Sequence, residues 1–161
     1  MANYTGANVI TTSDVLKYQP DAFDFGISTT ATETTNFLAQ TTNDILRQLR
    51  VEWWPVYKTN IFTDITVLNT AEMVNTKVNL DQFERAGVYL FLGRFYLPAL
   101  TKFRPETEKD RFERMQEYYM GQYNIEWRMI LEDGVEYDVD SSGTIVANER
   151  EPLHGFRRLT R

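Results

Sequence analysis

The sequence predicts a mainly α protein: a helical bundle of three long helices plus a short N-terminal helix, with an extended C-terminal arm that has room for a β-hairpin. Three observations carry this. From Gly87 to Leu100 the only charged residue is Arg94, so this run reads as a helix apolar around most of its circumference, the central helix of a core. Two further stretches repeat apolar residues at helical spacing: Leu38, Thr42, Ile45, Leu46, Leu49 and Trp53, then Phe112, Met115, Tyr119, Tyr123, Trp127 and Ile130. After Asp133-Gly134 the helical period stops, which divides the chain into a helical-bundle domain at 1–134 and an arm at 135–161.

Residues 1–11 are small and polar and read as a flexible arm. Thr12, Ser13 and Asp14 offer a helix start, Val15, Leu16 and Tyr18 follow, and Pro20 closes a helix of about two turns. The loop from Asp21 to Thr30 carries Phe23, Phe25 and Ile27, three plugs for the core. The second helix runs from Thr32 to Trp53, ended by Pro55. Trp53-Trp54 is either a binding hot spot or a core residue with its neighbour at the core's edge, and burial is the commoner fate of such rings. Between Val56 and Val78, Ile65-Thr66-Val67 has strand composition and Thr70–Asn75 suits a helical turn, within an ordered connection. The central helix spans Leu80–Lys102, with Asn79 as N-cap and Asp81 in its first turn. Pro98 should bend or end it after Leu97, and Pro105 stops it. The third long helix covers Glu106 to Leu131, with Glu108–Arg111 and Asp110–Arg114 as supporting charge pairs.

Composition excludes several functions. With 161 residues, 42% hydrophobic and 14% aromatic, the chain can bury a core. A net charge of −6 argues against a general nucleic-acid binder. The absence of cysteine removes disulfides, thiol catalysis and cysteine-based zinc sites. The opening MANYTGANVITTSD lacks a basic start and an apolar stretch, so an intracellular origin is expected, and the Leu80–Lys102 run is too short and too interrupted for a membrane span. His154 is the one histidine, and no phosphate loop, Gly-x-Ser-x-Gly or His-Glu-x-x-His segment is present, so no enzyme is expected.

The sharpest local pattern is Asp138-Val-Asp140-Ser-Ser142-Gly143-Thr144-Ile145-Val-Ala-Asn-Glu149. It matches the twelve-position calcium loop, with Asp at 1 and 3, Ser at 5, Gly at 6 and Glu at 12. Asp138, Asp140, Ser142 and Glu149 would supply side-chain oxygens, and Thr144 its carbonyl, to a structural calcium that braces the arm. The residues before Asp138 and the pair Pro152 and Gly155 do not suit the flanking helices of an EF-hand. The other reading is a hairpin, Val135–Val139 paired with Thr144–Ala147 across Ser141-Ser142-Gly143.

The last twelve residues carry Arg150, Arg157, Arg158 and Arg161 against the single acid Glu151. Such a run is either a solvated terminus or a docking arm. Leu153, Phe156 and Leu159, spaced by three and set between arginines and beside His154, favour an arm that docks to a partner.

The ITTSDV opening with its short capped helix, the helix FLAQTTNDILRQLR, a following helical pair and the basic ending DVDSSGTIVANEREPLHGFRRLTR together resemble the head–tail connector (adaptor, neck) proteins of tailed bacteriophages. The resemblance covers most of the chain as an order of elements, and the long Val56–Val78 connection departs from compact family members. It implies a helical-bundle protomer that forms a ring, commonly twelve-fold, in the virion neck. Such a ring contacts the portal protein on one side and the adjacent neck or tail protein on the other, and lets DNA pass without specific binding; it is assembled in the host cytoplasm. It implies further that the arm, with Arg150, Leu153, His154, Phe156, Arg157, Arg158, Leu159 and Arg161, engages the portal or a neighbouring subunit. A stopper or tail terminator, and a calcium-binding interaction module, are the alternatives.

Overall fold

A computed structural model describes residues 8–25, 27–100, 111–145 and 149–151. The chain is mainly helical, as the periodicity predicts. Its helices are α1 (Thr12–Tyr18), α2 (Thr32–Gln48), α3 (Trp54–Ile61), α4 (Ile65–Thr70), α5 (Glu84–Leu90), α6 (Leu97–Leu100) and α7 (Arg111–Asp133). The short strands β1 (Val135–Glu136) and β2 (Arg150–Glu151) pair antiparallel. Contacts divide the described residues into two compact units: 8–45 with those of Phe83–Trp127, and Leu46–Gln82 with those of 128–151. The contacts cut the chain differently from the expected boundary after residue 134.

In the first unit, α1 begins at Thr12, within the expected start, and is capped by Thr11. The Thr11 hydroxyl accepts from the Asp14 amide at 3.3 Å, and Asp14 Oδ2 accepts from the Thr11 amide at 2.8 Å, a reciprocal capping box. The central segment is buried nearly all round: Phe83, Ala86, Val88, Leu90, Phe91, Leu92 and Leu97 are core residues. Its one charge, Arg94, reaches out to Asp44 at 3.4 Å and lies over the Phe95 ring. Of the three expected plugs, Phe23 meets the Tyr96 ring edge-on at 5.3 Å, the Ile27 carbonyl accepts from Tyr96 Oη at 3.0 Å, and the Phe25 side chain lies outside the described residues. Along α7 this unit buries Tyr119, Tyr123 and Trp127 at a spacing of four; in the second unit Leu131 is buried in place of the expected Ile130. The residues that would start this helix before Arg111, and with them the pairs of Glu108 and Asp110, lie outside the described residues.

Pro55, expected to end a helix, and Pro98, expected to bend or end one, are both carried inside helices, Pro55 in α3 and Pro98 in α6. Each follows a wide π-turn segment, Leu49–Trp53 and Phe91–Tyr96. The residue just before each proline bonds one step further back than in an α-helix: Trp54 N–H to the Leu49 carbonyl, and Leu97 N–H to the Leu92 carbonyl. Widening the turn by one residue lets the chain continue past a proline that has no N–H to offer and whose ring would crowd the carbonyl below it.

In the second unit, Trp53, Trp54, Tyr57 and Tyr137 form an aromatic core. Trp53 and Tyr57 stack at 4.2 Å, and Tyr137 stands 5.3–5.7 Å from the other three rings. Trp53 and Trp54 are both buried, and Trp54 Nε1 donates to the Ala71 carbonyl at 3.2 Å, so this pair is core and not an exposed hot spot. Ile65–Thr70 is a helix, not the strand its β-branched residues suggest. Asp64 decides this by accepting the Thr66 amide at 2.8 Å as an N-cap, and the next helical turn is Asn75–Lys77, not Thr70–Asn75. Val78 then bridges to Tyr137, flanked by bonds from the Asn79 amide to the Glu136 carbonyl at 3.1 Å and from the Asp138 amide to the Lys77 carbonyl at 2.9 Å. The start of the expected arm is therefore buried: Val135 and Tyr137 are core residues.

Candidate metal centre

Gly134 ends α7 with φ of +99°, its amide bonded to the Ile130 carbonyl at 3.0 Å, and the chain turns directly into β1. The ladder then runs Val135 to Glu151 and Glu136 to Arg150, with the Tyr137 amide donating to the Glu149 carbonyl at 3.1 Å. This corrects the expected hairpin register. The partner of β1 is not Thr144–Ala147 but the residues beyond Glu149, and 138–145 belong to the tip between them. The reason lies in the carboxylates: Glu149 Oε1 accepts the Val139 amide at 2.8 Å, which holds the return strand level with the start of the tip.

Three of the expected calcium ligands converge. Single carboxylate oxygens of Asp138, Asp140 and Glu149 all lie within 4.8 Å of one another. Asp138 is 0% and Glu149 3% exposed. Two anions at that spacing repel by about 3–4 kcal/mol at an effective dielectric of 20. Backbone donors offset part of this: Asp138 accepts the Ser142 amide at 3.0 Å and the Gly143 amide at 2.9 Å, and Asp140 accepts the Ser142 amide at 2.9 Å. Gly143, at the sixth place of the loop, has φ of +76°, the left-handed turn for which glycine is suited, and Ser141 also turns left-handed at φ +61°. Ser142 and Thr144 lie at the exposed side, where the Ser142 hydroxyl donates to the Thr144 carbonyl at 3.1 Å. The donor set is hard oxygen throughout, which suits calcium or magnesium and not a soft metal.

No family model, curated protein or solved structure matches the chain. The likeness to connector proteins rests on the residues alone.

One contributor was not legible in the sequence. Lys77 Nζ donates to the Val139 carbonyl at 2.6 Å and sets a cation at the base of the acidic tip. Sixty-two positions separate the two residues, and the Val78–Tyr137 bridge with its flanking backbone bonds brings them together. Of the expected docking residues, Arg150 lies in β2, exposed, with Nη1 3.6 Å from Glu136 Oε1. Leu153, His154, Phe156, Arg157, Arg158, Leu159 and Arg161 lie outside the described residues. No described helix is long and apolar enough to cross a membrane.

Proposed function

We propose that the chain is a structural, non-catalytic subunit of a bacteriophage neck, a head–tail adaptor whose copies form a ring between the portal and the next neck or tail protein. The observation that carries this reading is apolar surface on α7. Tyr118 and Ile125 are seven positions apart, share one helix face and are more than half exposed, while Tyr119, Tyr123 and Trp127 on the same helix are buried. A helix apolar on two faces is suited to packing against a second body as well as its own core. The order of elements is in keeping with the resemblance: ITTSDV lies on the capped α1, FLAQTTNDILRQLR on α2, and the basic ending follows β2.

The test is co-sedimentation with portal rings encoded by the same genome, using the full chain and a version ending at Glu149. Binding by the full chain and loss on truncation supports an adaptor that docks through its arm. Binding by both moves the contact to the helices. Failure of both folded proteins overturns the portal as partner and leaves a stopper or tail terminator.

The convergence of Asp138, Asp140 and Glu149 favours a second reading compatible with the first: the hairpin tip takes a structural calcium that braces the base of the arm. Calcium then raises the melting temperature of the full chain, and Glu149→Gln abolishes the rise. An unchanged melting temperature at millimolar calcium sinks this reading.

A further inference from the structure

Arg111, Arg114, Met115, Tyr118 and Tyr119 line a cavity of about 400 Å³ that opens to solvent. All five lie in the first turns of α7, at the three- and four-residue spacing that gathers side chains on one side of a helix. Arg111 and Arg114 are exposed, and among the described residues no carboxylate lines the cavity. The remaining wall is apolar and ordered. Tyr119 is buried; its hydroxyl donates to Gln19 Oε1 at 2.7 Å, and its ring packs 6.0 Å from that of Tyr89. Tyr118 meets the Tyr119 ring edge-on at 5.3 Å yet stays 61% exposed, which leaves a braced aromatic surface accessible. Met115 and Tyr119 also border a second, smaller void, lined by Leu92, Tyr96 and Leu97. A flexible methionine beside a void can yield when a side chain enters.

We propose that this cavity recognises an acidic peptide segment of a protein partner, one that presents a carboxylate next to an aromatic or aliphatic side chain. Three arguments select this occupant. The first is charge. On a chain of net charge −6, two arginines meet at a site without an acid. A guanidinium donates two parallel hydrogen bonds to a carboxylate, so a partner acid is repelled by the chain's net charge and attracted at this point, which fixes where it docks. The second is the lining itself. Arginine, methionine and tyrosine are the residue types enriched at protein interfaces, and arginine and tyrosine are enriched again among the residues that carry binding energy. The apolar wall supplies a seat for the side chain beside the carboxylate, and bracing by Gln19 and Tyr89 lowers the cost of ordering it. The third is the exclusion of nucleic acid. A polyanion gains its affinity from many phosphate contacts at once, and an acidic chain with two arginines at the site disfavours it, whereas a single carboxylate needs no more than these two. The inference goes beyond the adaptor reading, because any protein partner that presents this chemistry satisfies it.

The test uses the full chain and end-capped peptides followed by saturation-transfer NMR, which reads binding whatever the size of the assembly. The probe is Gly-Ser-Glu-Phe-Glu-Ser-Gly; one matched peptide carries Gln for both Glu, and the other Ala for Phe. The first should bind at submillimolar concentration and both matched peptides several-fold more weakly. Arg114→Ala, on an exposed helical position, should weaken the first peptide several-fold with helix content intact by circular dichroism. Arg114→Lys, which keeps the charge and loses the fork, should fall between Arg114→Ala and the unaltered chain. Arg128→Ala removes the same charge from α7 outside the cavity lining and should leave binding unchanged. Raised salt should weaken the complex. No binding of the first peptide at millimolar concentration, equal binding of all three, or equal losses in Arg114→Ala and Arg128→Ala would overturn the inference. A short single-stranded DNA that binds more tightly than the peptide, and is lost in Arg114→Ala, would overturn it by assigning the cavity to nucleic acid.

Discussion

Single residues set how closely the elements approach. A Cβ on Gly93 would lie 2.9 Å from Met120 Cγ and 3.1 Å from the Met120 backbone nitrogen, and backbone cannot move aside. Gly93→Ala should cost about 1–3 kcal/mol in urea unfolding, as overpacked cores do. Gly121, inside α7, has nothing within 4 Å of its would-be Cβ, so Gly121→Ala should gain about 0.5–1 kcal/mol from helix propensity. Equal effects from the two would show that packing at Gly93 is not what the contact implies. Tyrosines set an alkaline limit. Burial pushes the Tyr137 phenol up, partly opposed by the Val74 N–H, and burial likewise raises Tyr119 and Tyr96. Because the folded values lie above the unfolded one of about 10, this contribution is complete below that pH and is lost as pH rises through the folded values. Denaturation midpoints should therefore fall above pH ~10, and less steeply in Tyr137→Phe; identical alkaline slopes would remove Tyr137 from the account.

At the scale of elements, caps outweighed composition. The Thr11–Asp14 box starts α1, and Thr11→Ala should cost about 1 kcal/mol at neutral pH. Burial alone would raise the Asp14 carboxyl, but hydrogen bonds from Lys17 and Thr11 outweigh it and hold Asp14 below the usual carboxylate value. A depressed value means stabilisation that is present above the unfolded pKa of 3.8 and lost as pH falls through the folded one. The gap between wild type and Thr11→Ala should thus narrow in acid, and a gap constant down to pH ~3 would refute the link. The hairpin tip shows how local pattern and tertiary pairing divide the work. The convergence of Asp138, Asp140 and Glu149 was legible in their spacing and a hairpin around them was one of two readings, whereas the residues that close it were not. The pairing depends on Glu149 reaching back to Val139 and on Lys77 arriving from a distant segment.

For the whole molecule, a net charge of −6 disfavours holding nucleic acid, and in the proposed ring it would suit a wall past which DNA slides. Purified assemblies should not retain double-stranded DNA in a filter or mobility assay at about 0.15 M salt. Retention there would contradict a channel wall past which DNA slides. Because α7 exposes Tyr118 and Ile125, Tyr118→Asp with Ile125→Asp should reduce the assembled mass measured by light scattering while leaving helix content unchanged. Assemblies of undiminished mass would move the contact off this face.

The sequence by itself determined the helical class, the apolar face of α2, the buried central run and the carboxylate spacing of the tip, because each is written in neighbours three to eleven residues apart. Tertiary structure alone decided that Pro55 and Pro98 are carried through by π-turns and that the start of the expected arm is core. It also decided which strand closes the hairpin. Each of these is settled by a partner that local periodicity does not register: a shifted carbonyl, an aromatic cluster from distant segments, or a carboxylate bonded to backbone across a loop.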